Sequence, residues 1–415
     1  MSTDTPASEW RKGWRVVVAG AACFGTGPSM FLITAGLFVN PMQTELGWSK
    51  SALTLSAPIG LLMGLVAPAA GALTDRWGGR RVAILGLSIL TLAFFGFFVI
   101  PATYVAIYAL TLFIGIVADM SGTPPVAKCV ADWFKKSPGA ALGLAFNGSA
   151  LVALVSVPTV SAAIHYFGWR SGFVAQGAFS LLLGLPIVVA WLRSPRSVVQ
   201  TSVGTSSPLE GKTLREAMRD WRFWAMLIVI GLGATAAGGF LAQLQPMLAD
   251  KSIGIAEATS LGVLYAVSLS IGKIGAGFLL DRLWGRGIGT GLFALAGIGS
   301  LIMTYTTADT PTILAALAVF CLALGHGATT VLTAYIPLRL FGMRAYSTIL
   351  GTTAMMAAIG SAVGGLGYAR IFDVNHSYLV ACLLGCGGFL AASLLILLIV
   401  FGERRLPIAH PQARV

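Results

Sequence analysis

Charge is scarce in this chain. Asp, Glu, Lys and Arg together make up 10% of its 415 residues, where a water-soluble domain carries about 25%. A surface built for water is therefore excluded for most of the molecule. The five cysteines (Cys23, Cys129, Cys321, Cys382, Cys386) lie inside apolar segments without metal-ligand spacing. They read as small buried hydrophobes, which excludes a disulfide framework and a metal cluster. No G-x-x-x-x-G-K-[ST] loop occurs, so ATP is not the expected driving force. No nucleophile–base constellation occurs either. An enzyme is rejected, and no cofactor is expected. The first residues, MSTDTPASEWRKGW, are polar and lack a cleavable signal pattern.

What is abundant is apolar sequence. Hydrophobic residues make up 56% of the chain and the mean hydropathy is +0.85. A bilayer-crossing helix needs ~20 mostly apolar residues. Twelve stretches qualify, roughly 14–39, 51–73, 82–100, 104–127, 138–164, 171–192, 222–247, 257–280, 287–306, 311–336, 346–371 and 377–400. The expected fold class is an all-α integral membrane protein of two pseudo-symmetric six-helix bundles. The one long polar stretch, 193–220, reads as a flexible Ser/Thr/Gly-rich linker ending in a short surface helix, TLREAMRD. It divides the chain into a bundle over 1–192 and a bundle over 221–415. Gly, at 51 residues, suits helices that pack closely.

The net charge of +12 is explained by topology. Lys and Arg gather at one set of loops (Arg76, Arg80, Arg81, Lys135, Lys136, Arg282, Arg286, Arg339, Arg344), and the opposite loops carry only Lys50, Arg170, Lys251 and Arg370. Basic loops face the cytoplasm, so both termini and the linker are expected there, in a plasma membrane of the bacterial inner-membrane kind. A nucleic-acid role is rejected. The partners expected are the lipid bilayer, a small organic anion and protons, with the chain acting as a monomer.

The halves also repeat. Asp75-Arg76-Trp77-Gly78-Gly79-Arg80-Arg81 is echoed 206 residues later by Asp281-Arg282-Leu283-Trp284-Gly285-Arg286. Asn40-Pro41-Met42 returns as Gln245-Pro246-Met247. Such a parallel repeat is the architecture of transporters with two rocking halves. On the Gly71-x-x-x-Asp75-Arg76-x-Gly78-x-Arg80-Arg81 loop and its degenerate copy, the chain resembles the major facilitator superfamily over its whole length. The resemblance implies a gating role for Asp75, Arg76, Arg80, Asp281 and Arg282, with Asp75 capping a neighbouring helix and the arginines pairing across the loop. The stretch Gly272-Lys273-x-x-x-Gly277-x-x-x-Asp281 resembles the monocarboxylate and oxalate/formate branch, in which an Arg occupies the Lys273 position and binds the substrate carboxylate. Two departures matter: Leu269 stands where animal carriers have an acidic residue, and 346–369 contains no Lys or Arg. One cation then fits one carboxylate.

Only three ionisable side chains lie deep in a span: Asp119, Lys273 and His326. Such residues are functional candidates by default. Lys273 needs an anionic partner, either a substrate carboxylate or a structural mate such as Asp119 or backbone carbonyls. Asp119 and His326 are related by nearly the repeat offset, so they are expected to face each other across the substrate path and to carry the proton. A neutral, hydrogen-bonded packing role is the alternative for His326. Lys128 is expected to snorkel to the interface. Thr26, Asn147, Gln243, Tyr265 and Tyr335 are candidate substrate-binding residues. Gly25-Thr26-Gly27-Pro28 and Gly122-Thr123-Pro124-Pro125 should interrupt their helices. The expected function is proton-coupled transport of a small monocarboxylate (lactate-, pyruvate- or hydroxy-acid-like) by alternating access. The rivals are proton-independent organic anion exchange and, in another class, a non-transporting membrane sensor or scaffold.

Overall fold

Long apolar runs broken by glycine, proline and short basic turns fold in the only way a bilayer tolerates, with each segment satisfying its own backbone hydrogen bonds. The computed structural model describes residues 6–49, 53, 56–193, 195, 210–283, 287–307 and 309–404. Most of the expected linker, and Trp284, Gly285 and Arg286 of the second basic loop, lie outside the described residues. The first half comprises α1 (Pro6–Thr26), α2 (Pro28–Leu46), α3 (Ser56–Trp77), α4 (Gly79–Val99), α5 (Tyr104–Val117), α6 (Thr123–Trp133), α7 (Pro138–Phe146), α8 (Gly148–Phe167), α9 (Trp169–Phe179) and α10 (Leu185–Trp191). After the short α11 (Leu214–Met218) come α12 (Trp221–Asp250), α13 (Ile255–Leu283), α14 (Ile288–Tyr305), α15 (Thr312–Phe341), α16 (Tyr346–Asn375) and α17 (Leu379–Arg404). Among the described residues, 11 helical stretches are long and apolar enough to cross a membrane. Ser56–Trp77 lies between the first and second of these and occupies the place of the expected second span.

Several spans are made of two helices, and the reason is local. Pro28 and Pro124 stand in the first turns of α2 and α6, where a missing N–H costs nothing. The preceding Gly27 and Gly122 leave helical backbone geometry. The two glycine–proline stretches therefore break their spans as the sequence implies. A third break, between Phe146 and Gly148, carries no proline. There Gly148 packs against the backbone of Ala21, so closely that a side chain would collide with its carbonyl.

Large apolar side chains such as Leu92, Leu154, Leu182, Leu366 and Leu394 point outward, as lipid-facing residues must. One buried cluster, from Ala217 to Val400, belongs wholly to the second half, and another, from Met30 to Phe173, wholly to the first. The third joins first-half residues such as Val130, Phe134 and Leu142 to Ala334, Tyr346 and Leu350 of the second. The strongest packing between the halves is that of α3, α6 and α7 against α13, α15 and α16. These contacts include the basic end of the bundle, and α8 reaches the other half at its first turn, where Ser149 accepts from Lys273.

The α11 helix is the short surface helix expected after the linker. Its N-terminus carries a reciprocal cap: the Thr213 hydroxyl accepts from Glu216 N, and the Thr213 N–H donates to the Glu216 carboxylate. That backbone hydrogen bond holds the Glu216 carboxyl below the usual range. Just before it, Lys212 N donates to Phe341 O and Met343 N donates to Glu210 O (2.8 and 3.0 Å). The chain entering the second half is so tied to the turn between α15 and α16.

Candidate functional site

Between Val117 and Thr123 the backbone tightens into a 3-10 turn, Ala118–Met120. This turn places Asp119 on the wall of a cavity of about 390 Å³ between the halves. The first half contributes Phe24, Met63, Asp119 and Thr123, and the second His326, Thr329, Thr330, Thr333 and Ser361, among others. Asp119 and His326, paired in the sequence only by the repeat, thus line one cavity from opposite halves. The Asp119 carboxylate has no hydrogen-bond or ion-pair partner among the described residues, although the residue is 8% exposed. Three threonines of the wall escaped the sequence reading, although 326, 329/330 and 333 follow the 3–4 residue spacing of one helix face. Their hydroxyls donate to the carbonyls of Gly325, His326 and Thr329.

Lys273 stands beside this cavity, where α7, α13 and α15 meet. Its backbone packs against Gly143 and against Gly327, the neighbour of His326. The side chain is buried, and its ammonium donates to the Ser149 hydroxyl at 3.4 Å. The structural pairing with Asp119 is not present, and no carboxylate among the described residues lies within ion-pair distance of Lys273. Asn147 sits two residues from Ser149, at the α7–α8 break, buried and with Oδ1 unpartnered among the described residues. Tyr265 does not present a free hydroxyl. It is buried and hydrogen-bonded to His326 Nδ1 at 2.8 Å.

Three other candidates lie elsewhere, which corrects their placement. Thr26 is fully buried, donates to Ala22 O (2.8 Å) and packs against Gly184, as helix-to-helix glue. Gln243 has both ends of its amide engaged, accepting from the Tyr378 hydroxyl (3.0 Å) and donating to Gly365 O (3.4 Å). Tyr335 is nine residues beyond His326, about 13 Å along the helix. It donates to Leu280 O (3.1 Å) and lines a separate cavity of about 420 Å³ at the basic end, with Lys135, Lys136, Asp281 and Arg339. Thr26 finds its acceptor within its own helix, whereas Gln243 and Tyr335 find partners on other helices, so residue type alone did not locate them.

The two repeated carboxylates each cap a helix of the opposite half. Asp75 accepts from Ser347 N (3.2 Å), Thr348 N (2.8 Å) and the Thr348 hydroxyl (2.8 Å), at the start of α16. Asp281 accepts from Gly139 N (2.7 Å) and Ala140 N (2.8 Å), at the start of α7. A carboxylate there meets free N–H groups and the positive end of the helix dipole. Lys128 does not snorkel: its ammonium lies 2.9 Å from Asp75 Oδ1 with little exposure. The carboxylate three helices away outcompetes the interface because it needs a counter-charge at that depth. Among the described residues Arg80 does not pair across its loop with an acid but donates to Val189 O (2.9 Å). Arg76 and Arg282 stand in the last turns of α3 and α13, where a cation suits the dipole.

Close approach completes this contact. Gly71 lies directly on the Ser347 carbonyl, and any side chain there would collide with it. Gly71→Val is accordingly expected to keep the basic end from closing. A cysteine placed at Leu338, in the basic-end cavity, should then react with a water-soluble maleimide at least about tenfold faster; an unchanged rate would contradict this assignment.

Two membrane-embedded bundles that meet around a cavity define a polytopic transporter rather than an enzyme. Residues 17–365 match the family described as Major Facilitator Superfamily, and the chain belongs to that family. Similar proteins include human monocarboxylate transporter 11, 25% identical over 68% of this chain and 59% of the relative. Bovine monocarboxylate transporter 13 is 24% identical over 94% of this chain and 89% of its own length. Among solved structures, the human organic anion transporter MFSD10 superimposes with a TM-score of 0.65 at 17% identity, covering 94% of this chain and 98% of the other. The Escherichia coli fucose:proton symporter gives 0.64 at 16% identity, over 92% and 98%.

Proposed function

We propose that this protein is a secondary transporter of a small monocarboxylate, coupled to protons by alternating access. The observation that carries the reading is Lys273: a buried ammonium beside the inter-half cavity whose described partner is a single hydroxyl. A buried cation calls for an anion, and a substrate carboxylate is the partner that leaves when transport is complete. The relatives named for monocarboxylates support the substrate class, and the Asp119 carboxylate on the cavity wall supports proton coupling. In this reading the bundles 1–192 and 221–415, joined by 193–220, rock as units about the cavity. The contacts of Asp75 and Asp281 hold the basic end shut in one state, with that end in the cytoplasm and a single chain sufficing. Burying an empty, charged site is costly, which favours movement only when substrate and proton are both bound.

The test is uptake of radiolabelled lactate and pyruvate into proteoliposomes with and without an inward proton gradient. Accumulation that follows the gradient supports symport. Counterflow without gradient response would identify an anion exchanger, and no movement of any small acid would overturn the substrate class.

A further inference from the structure

The hydrogen bond between Tyr265 and His326 decides which ring nitrogen faces the cavity and what that nitrogen offers. Tyr265 is buried, and among the described residues its hydroxyl has one partner, His326 Nδ1 at 2.8 Å. Two arrangements satisfy this distance. If Nδ1 carried the hydrogen, the tyrosine would accept and its own buried hydroxyl hydrogen would have no acceptor. If the tyrosine donates, the imidazole carries its proton on Nε2, and the one hydrogen left over sits on a ring that lines the cavity rather than on a buried hydroxyl. A buried donor without an acceptor loses its hydration with no return, so the second arrangement is favoured. Nε2 has no partner among the described residues, yet the ring is part of the cavity wall and only half-buried. It is therefore an N–H aimed at whatever occupies the cavity.

The surroundings agree. Asp119 lines the same cavity from the other half, the Lys273 backbone packs on Gly327 next to the ring's residue, and Thr330 donates to the His326 carbonyl from one turn on. We propose that His326 is a substrate-binding hydrogen-bond donor for an oxygen on the carbon next to the carboxylate, and that Tyr265 is the positioning residue that fixes its tautomer. This rests on the monocarboxylate reading above and deepens it. The substrate class becomes 2-oxo and 2-hydroxy acids, with Lys273 on the carboxylate and His326 on the 2-oxygen. Proton carriage then falls to Asp119. Charging the ring would place hydrogen on Nδ1 as well, and the tyrosine hydroxyl hydrogen would lose its acceptor.

Two measurements test this. The first is nitrogen NMR on the full-length protein with ¹⁵N-labelled histidine in detergent micelles at neutral pH, with the His326 signal assigned by its loss in His326→Gln. A protonated Nε2 and an unprotonated Nδ1 are expected, and Tyr265→Phe should move the signals toward a mixture. A protonated Nδ1 in the wild type overturns the tautomer assignment whatever the substrate. The second compares pyruvate with propionate, which lacks the 2-oxygen, in proteoliposomes. His326→Leu is expected to raise KM for pyruvate about tenfold, the upper end of what one hydrogen bond to a neutral oxygen is worth, and for propionate less than about twofold. His326→Gln, which keeps an N–H near the Nε2 position, should retain gradient-driven accumulation. Equal effects on both acids, or loss of gradient drive in His326→Gln with exchange intact, overturn the donor role while the monocarboxylate reading stands. If the wild type carries neither acid, the substrate class falls with it, and only the tautomer remains for NMR to decide.

Discussion

Proteoliposomes carrying Lys273→Ala are expected to show uptake reduced by a hundredfold or more at low substrate concentration. The ammonium is buried and its protein partner is the Ser149 hydroxyl at 3.4 Å, a neutral contact at the long end of hydrogen bonding. A substrate carboxylate arriving there forms a charge-assisted pair out of water. Removing one partner of such a pair costs about 2–5 kcal/mol, and every 1.4 kcal/mol is roughly tenfold in affinity. Lys273→Arg is the informative companion. A guanidinium keeps the charge but adds bulk and a planar fork, so part of the activity should return if charge is what matters. Uptake surviving in Lys273→Ala, at a KM near that of the wild type, would show that the carboxylate is anchored elsewhere. The cavity with Asp119 would then have to be reconsidered as the substrate site on its own.

Asp75→Ala should open the basic end. Its carboxylate accepts three hydrogen bonds at the start of α16 and pairs with Lys128. All four donors lose their partner together, and the Lys128 ammonium is left buried. Breaking a buried pair from one side costs roughly 3–5 kcal/mol. The α16 contacts exist only while the halves touch at this end, so their share of the loss falls on the closed state, and a few kcal/mol moves a two-state population by about a hundredfold. A cysteine at Leu338 should become strongly reactive. The native cysteines are buried and give a low background. The double variant Asp75→Ala/Lys128→Met should recover thermal stability relative to Asp75→Ala, because it removes the orphaned charge, without restoring closure. If Asp75→Ala alone leaves both reactivity and stability unchanged, the carboxylate is not a latch between the halves.

The sequence by itself determined the solvent. With so little charge and so many apolar runs, only helices crossing a bilayer satisfy the backbone, and proline after glycine marked two of the breaks. It also determined the repeat, and through the repeat the pairing of Asp119 with His326, since equivalent positions in two like bundles are brought to one axis. Composition and spacing act locally along a helix, and that is why these features could be read without coordinates. Which face a side chain takes, and which neighbour it finds, depends on helix rotation and on packing between segments far apart in the chain. Tertiary structure alone decided that Lys128 answers Asp75, that Tyr265 is committed to His326, and that Lys273 meets Ser149 rather than Asp119. It also removed Thr26, Gln243 and Tyr335 from the cavity. A hydroxyl or amide in an apolar span takes the nearest acceptor, and only the packed bundle says whether that acceptor is a backbone carbonyl or a space between the halves.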